Sequence, residues 1–166
     1  MSFKKNIIRI ILICLFSYSA NALEIKIGHV GEPGSLFNES AEHFAKLANS
    51  RLAGKATIVN FGSSQLGSDK EMMQKVKLGT LDIAVPSTYM STAFDEFGVF
   101  EMPYLIKDRQ HMSRVEKEVV IPILAKNLEE KTGYKVLAVW ENGFRQITNN
   151  IRPINTPEDL KGIKLR

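Results

Sequence analysis

Two arginines, Arg145 and Arg166, are the residues of this chain best suited to binding chemistry. Both follow a predicted strand near the C-terminal end and do not lie on a charged helix face. A planar guanidinium matches a carboxylate with two parallel hydrogen bonds, which a lysine ammonium cannot do. Most arginines are solvated surface cations, however, and spacing alone does not decide between a surface cation and a carboxylate-binding residue.

Motifs for catalysis or metal binding are absent from the sequence. It contains no Gly-x-Ser-x-Gly elbow, phosphate-binding loop, dinucleotide fingerprint or His-Glu-x-x-His helix. His29, His43 and His111 fall in separate predicted elements, so each is expected to be a packed or surface histidine and not a metal ligand. We therefore expect a protein that is not an enzyme and that uses no metal and no cofactor.

The first 22 residues have the pattern of a secretory signal. Lys4, Lys5 and Arg9 precede or border a short apolar run, and small residues follow at 20–22. The run is shorter than the roughly 20 residues that span a bilayer, which favours a cleavable signal peptide over residues 1–22. Export to the periplasm is expected. The single cysteine, Cys14, lies inside this segment, so disulfides and thiol chemistry are excluded from the remainder.

The net charge of +4 depends on the predicted signal peptide. Without its three basic residues the chain has 19 basic and 18 acidic residues, which is close to neutral. No basic surface for nucleic acid is implied, and we expect no nucleic-acid partner.

The middle of the chain alternates predicted strands and helices. Strands are predicted over residues 23–30, 56–61 and 81–85. The first helix is indicated by an apolar stripe at three- and four-residue spacing, and the second by a capping box in which Ser68 and Glu71 satisfy each other's backbone N–H groups. This β-α-β-α-β order predicts an α/β domain with a largely parallel sheet and helices on both faces.

Further elements are predicted in the second half. Asp108 is expected to cap a helix that Pro122 either kinks or restarts. Residues 135–140 alternate as a fourth strand, and Thr156 with Pro157 marks the start of a short helix. The last residues, 163–166, alternate like a strand in progress, so we expect the chain to be a fragment of a longer protein.

Several blocks of sequence resemble the TRAP (tripartite ATP-independent periplasmic) transporter solute-binding proteins of the DctP type. They are SSQLGSD at 63–69, GTLD at 79–82, WENGFRQ at 140–146, RPI at 152–154 and TPEDLKGIKLR at 156–166. EMPYL at 101–105 resembles the family's Leu-Pro-Phe-Leu segment, from which Glu101 and Tyr104 depart. The resemblance covers residues 23–166 in the family's order.

The resemblance implies a fold like that of type II periplasmic binding proteins, with two lobes of mixed, mainly parallel sheets. Members of the family are about twice as long as this chain without its signal. Residues 23–142 would then form lobe one and residues 143–166 the incomplete start of lobe two, with the crossover near Asn142.

The resemblance also implies a ligand site. The family's carboxylate-clamping arginine falls on Arg166, a second pocket arginine on Arg145, and a pocket-lining acid on Asp69. Ser87 and Tyr89 fall where members vary with substrate. Ser87 stands in place of the glutamate of sialic-acid binders, and Val30 in place of their asparagine, which argues against that substrate. The Trp-x-Asn-Gly-Phe-Arg form at 140–145 resembles the dicarboxylate and sugar-acid branch.

The function implied is that of a periplasmic protein that captures an organic acid, a C4-dicarboxylate or a related carboxylate. It would deliver that ligand to the small and large membrane subunits of a TRAP transporter. An alternative is the ligand-sensing periplasmic module of a signalling receptor, which a transmembrane segment and a kinase-like region downstream would indicate. An enzyme is the third class, without supporting motifs.

Overall fold

The computed structural model describes residues 23–144 and 146–165. The predicted signal peptide, Arg145 and Arg166 lie outside the described residues. Within the described part, three parallel strands form a sheet in the order β2-β1-β3. These are β1 (Leu23–His29), β2 (Ala56–Phe61) and β3 (Ile83–Val85). The predicted parallel sheet is confirmed, although β3 is shorter than expected.

Helices lie on both faces of this sheet, as the alternation predicts. Helix α1 (Leu36–Leu52) packs on one face, where Ile27 and Ile58 of the strands meet Ala41 and Ala45 of the helix. These four side chains are buried because the apolar stripe of α1 faces the apolar face of the sheet.

Helix α2 (Asp69–Lys77) covers the opposite face, where Gly28 of β1 leaves room for Met72. A Cβ on Gly28 would lie 2.8 Å from the Met72 sulfur, so a side chain at this position would force the Met72 side chain to shift. The predicted capping box is present, since Glu71 accepts a hydrogen bond from the Ser68 backbone N–H at 2.8 Å.

After β3 the chain forms a short helix α3 (Tyr89–Ala93), a 3-10 turn (Asp95–Glu101) and then one long helical path. That path comprises α4 (Arg109–Val115), a π-helical segment (Glu116–Ala125) and α5 (Lys126–Thr132).

Asp108 caps the long helical path as predicted, with its carboxylate accepting from the His111 backbone N–H at 2.7 Å. Pro122 lies inside the widened π segment and does not end the helix, so the expectation of a fresh start there is wrong. None of the helices in the described ranges is both long and apolar enough to cross a bilayer.

The predicted fourth strand is wrong. Residues 135–140 have no regular secondary structure, and neither do residues 163–165. A strand needs hydrogen bonds to the N–H and C=O groups of a neighbouring strand. Alternation in the sequence can indicate an extended segment, but it does not show whether a partner strand is available. Trp140 nevertheless packs against the core beside Phe44, with ring centroids 6.1 Å apart. The predicted short helix at Thr156 is present as a 3-10 turn (Pro157–Leu160).

Candidate functional site

The carboxyl ends of the three parallel strands lie at one edge of the sheet. Three connections leave this edge, at residues 30–35, 62–68 and 86–88, and we call them the carboxyl-edge loops. In open parallel sheets, ligands bind in the crevice outside this edge, because loops and helix N-termini converge there. Asp69, Ser87 and Tyr89, which sequence comparison singled out, all lie in or directly after these loops.

The first two carboxyl-edge loops are joined by hydrogen bonds that continue the pairing of β1 with β2. Ser63 donates its backbone N–H to the Gly31 carbonyl at 2.9 Å, and Ser64 donates to the His29 carbonyl at 3.2 Å. The Ser63 hydroxyl also donates to the Glu32 carboxylate at 2.9 Å. The first loop therefore holds the second in place.

The second loop carries backbone strain. Ser63 and Ser64 have φ angles of 51° and 57°, in the left-handed region that side-chain-bearing residues avoid. Such conformations persist only where surrounding contacts fix them, and they concentrate at functional sites. Gly62 just before them has no room for a side chain, because a Cβ there would lie 2.9 Å from the ring of His29.

Asp69 and Ser87 are brought together across the second and third loops. The Ser87 hydroxyl donates to Asp69 Oδ2 at 2.7 Å, and its backbone N–H donates to the same oxygen at 3.2 Å. The other oxygen, Asp69 Oδ1, is buried and has no hydrogen-bond partner among the described residues. A buried acceptor without a donor is unfavourable, so this carboxylate has capacity for one more donor.

The remaining predicted site residues are placed less completely. Tyr89 is half-buried at the first position of α3, two residues beyond Ser87. Arg145 and Arg166 lie outside the described residues, so their assignment stays a prediction. Phe144, which precedes Arg145, is exposed.

A partly buried chain of polar side chains runs from the first loop across the sheet into α1, where it ends at the exposed Glu42. The Gly31 backbone N–H donates to His29 Nδ1 at 3.1 Å, and His29 Nε2 lies 3.0 Å from Asn60 Oδ1. Asn60 Nδ2 donates to Asn38 Oδ1 at 3.3 Å, and Asn38 Nδ2 donates to the Glu42 carboxylate at 2.7 Å. Each hydrogen bond in this chain pairs a donor with an acceptor. We call His29, Asn60, Asn38 and Glu42 the His29 relay.

The partners of the His29 ring fix its protonation state. Nδ1 must be an acceptor because a backbone N–H points at it, which leaves Nε2 as the protonated nitrogen that donates to Asn60. The side chain is fully buried, and burial lowers the pKa of His29 below its ordinary 6.5. The hydrogen bond to Asn60 and the charge of Glu42 act in the opposite direction and do not overcome burial.

The sequence predicted a packed or surface histidine at position 29 and did not indicate the relay. A signal was present, because His29 and Asn60 are polar residues near the carboxyl ends of two predicted strands. Asn38 and Glu42 are four residues apart on α1, a spacing at which side chains on a helix can meet; Asn38 is buried and Glu42 is exposed. Without the register of β1 and β2, these four residues could not be connected.

Comparison with family models gives a match over residues 27–166 to the bacterial extracellular solute-binding proteins, family 7, or DctP. A curated relative is the C4-dicarboxylate-binding periplasmic protein DctP of Rhodobacter capsulatus. It is 32% identical over 149 residues, which are 89% of this chain and 44% of that protein.

Solved structures of periplasmic solute-binding proteins are also similar to this chain. A TRAP periplasmic solute-binding protein from Sulfurospirillum deleyianum with bound succinate aligns with a TM-score of 0.76 and 33% identity, over 85% of this chain and 46% of that one. The sugar acid binding protein DctPAm of Advenella mimigardefordensis, in complex with galactonate, aligns with a TM-score of 0.77 and 31% identity, over the same shares. This chain thus spans less than half the length of the relatives it matches.

Proposed function

Because this chain belongs to family 7 of the bacterial extracellular solute-binding proteins, we propose that it captures an organic acid in the periplasm for a TRAP transporter. The ligand is a C4-dicarboxylate or a related carboxylate, delivered to the small and large membrane subunits. The family match over residues 27–166 carries the proposal, since it includes both arginines and the carboxyl-edge loops. Residues 1–22 direct export.

The proposed binding chemistry divides between the arginines and the loop residues. Arg166 holds the ligand carboxylate with a bidentate pair of hydrogen bonds, and Arg145 adds a second cation to the pocket. Asp69 repels a carboxylate and therefore meets a different part of the ligand. Its buried Oδ1 accepts no hydrogen bond from the part of the chain that the structure describes, so it suits a ligand hydroxyl, and the Ser87 hydroxyl beside it offers its own lone pairs.

Succinate and galactonate are both reasonable probes, since similar proteins were solved with these two acids bound. They differ in hydroxyl content, which separates the contribution of the arginines from that of Asp69 and Ser87. Tyr89, half-buried and two residues beyond Ser87 along the chain, is proposed to line the same pocket.

The proposal is tested by thermal-shift and calorimetric screening of the product of the complete reading frame against succinate, malate, galactonate, glucose and putrescine. At least one carboxylate should bind and stabilise the protein, whereas glucose and putrescine should not. Binding of the neutral sugar or the amine without any carboxylate would contradict the proposal.

Variants of the proposed clamp sharpen this test. Arg166→Lys keeps the charge and loses the planar fork, so affinity should fall by a factor of about 10 or more, which corresponds to roughly 1.4 kcal/mol. Arg114→Lys on the exposed surface of α4 is the matched control and should bind like the wild type. Equal affinity of both variants would exclude Arg166 as the clamp.

Ser87→Ala separates the two parts of the site. It should weaken galactonate or malate more than succinate, because it removes a hydroxyl placed next to Asp69. Ser113→Ala, at an exposed position of α4, serves as the control. Equal losses for hydroxylated and plain acids would argue against a hydroxyl-reading role.

A further inference from the structure

We propose that His29 is a positioning residue for the ligand site: its neutral ring fixes the first carboxyl-edge loop and, through that loop, the strained Ser63–Ser64 turn, so that protonating the ring weakens ligand binding. The inference rests on the proposed function only in its last clause.

The ring acts on the first loop through one backbone bond. Nδ1 accepts the Gly31 N–H at 3.1 Å and so sets the direction of the Gly31 peptide. A Cβ on Gly31 would lie 3.2 Å from Nδ1 and 2.5 Å from the Phe37 side chain, so this approach of backbone to ring is tight. A protonated Nδ1 would turn a donor toward the Gly31 donor, and the bond would be lost.

The first loop passes this constraint to the second. The Gly31 carbonyl and the His29 carbonyl accept the N–H groups of Ser63 and Ser64, and these two residues occupy left-handed backbone conformations. A strained turn relaxes when the contacts that fix it are lost. The turn leads through residues 65–68 directly into Asp69, so its relaxation moves the residue that pairs with Ser87.

The groups around the ring set how it responds to pH. From β2 it meets the neutral Asn60, from the first loop the Gly31 backbone, and from α1 the charge of Glu42 at the far end of the relay. Burial lowers the pKa of His29 by more than the charge of Glu42 raises it, so the pKa lies below the ordinary 6.5. The ring is therefore neutral at pH 7, and binding should decline only under mild acid.

The test uses the product of the complete reading frame with succinate and galactonate as probes between pH 5 and pH 8. Amide NMR signals of Gly31, Ser63 and Ser64 should follow the titration of the His29 ring, and the affinity for whichever probe binds should fall with the same midpoint. His43→Gln, at an exposed position of α1, should leave both curves unchanged.

Two variants of His29 test the roles of the two ring nitrogens separately. His29→Asn places an acceptor near the position of Nδ1 and should keep affinity within about threefold of the wild type while removing the pH dependence. His29→Gln places a donor near Nε2 and loses the acceptor for Gly31. It should lose about tenfold in affinity at pH 8, the loss expected for one hydrogen bond.

Glu42→Gln tests the same coupling without altering the buried ring, and so serves even if the His29 variants do not fold. Its amide oxygen still accepts from Asn38, but the negative charge is gone, so the His29 titration and the binding midpoint should both move to lower pH. The inference is overturned if the amide signals of Ser63 and Ser64 do not change with the titration of His29, or if the ligand affinity does not change with it. Failure of both probes to bind a folded protein at pH 8 would instead count against the proposed function, while the NMR titration still judges the loop coupling.

Discussion

At the scale of single residues, the chemistry of this chain is concentrated where the strands end. Asp69 at the start of α2 and Ser87 in the third loop are joined by two hydrogen bonds to one carboxylate oxygen. Both ring nitrogens of His29 are hydrogen-bonded, to Asn60 and to the Gly31 backbone. The sequence could indicate Asp69, Ser87 and Tyr89 as candidates, because each lies at a fixed position relative to a family motif that is read along the chain. It could not indicate the His29 relay, since its members come from β1, β2 and α1 and meet only after the sheet has formed.

The buried His29 should make stability depend on pH. Its pKa is lowered in the folded protein, so the unfolded chain binds the proton more readily below pH 6.5. The free energy of unfolding should therefore be fully retained above the unfolded pKa and should fall as pH decreases below it. Urea unfolding at a series of pH values between 5 and 8 measures this slope.

His29→Asn supplies the control for that slope, because asparagine does not titrate. The contribution of position 29 to the pH dependence should disappear in this variant, whereas His43→Gln should retain it. An unchanged slope in His29→Asn would show that the decline comes from other groups.

At the scale of elements, local signals predicted the helices better than the strands. The Ser68–Glu71 capping box and the Asp108 cap were legible because each lies within four residues of chain. The hydrogen bonds of this capping box lower the pKa of Glu71. The prediction of a strand at 135–140 was wrong because a strand needs a partner strand, which local sequence does not identify. For the same reason the sequence did not indicate that β3 has only three residues. The path of the helix through Pro122 depended on tertiary packing, with Val120 and Leu124 buried on either side of it.

The end of α1 offers a test of element-level energetics. Ala53 follows the last helical residue in a left-handed conformation with φ of 47°, and its side chain is exposed. Glycine adopts this conformation without the steric cost of a Cβ, so Ala53→Gly should raise the free energy of unfolding by roughly 0.5–1 kcal/mol.

Gly54 is the matched control, with φ of 81° and open space where a Cβ would be. Gly54→Ala should lower the free energy of unfolding by about 1 kcal/mol for the same conformational reason. Denaturant unfolding of both variants would contradict this account if Ala53→Gly were the less stable of the two.

At the scale of the whole molecule, fold class and family were predictable from the sequence, and the extent of the ligand site was not. The alternation of elements predicted an α/β domain, and the comparisons place the chain in its family. The division into lobes near Asn142 stays a prediction. The chain matches 44% of one curated relative and 46% of two solved ones, so more than half of each relative's length has no counterpart in these residues.

The most direct measurement is a structure of the complete reading-frame product with its acid bound. We predict the guanidinium of Arg166 in bidentate contact with the ligand carboxylate, at N to O distances of about 2.7–2.9 Å, with the ligand lying against Asp69 and Ser87. A ligand held elsewhere, with the Arg166 side chain directed into solvent, would contradict the account.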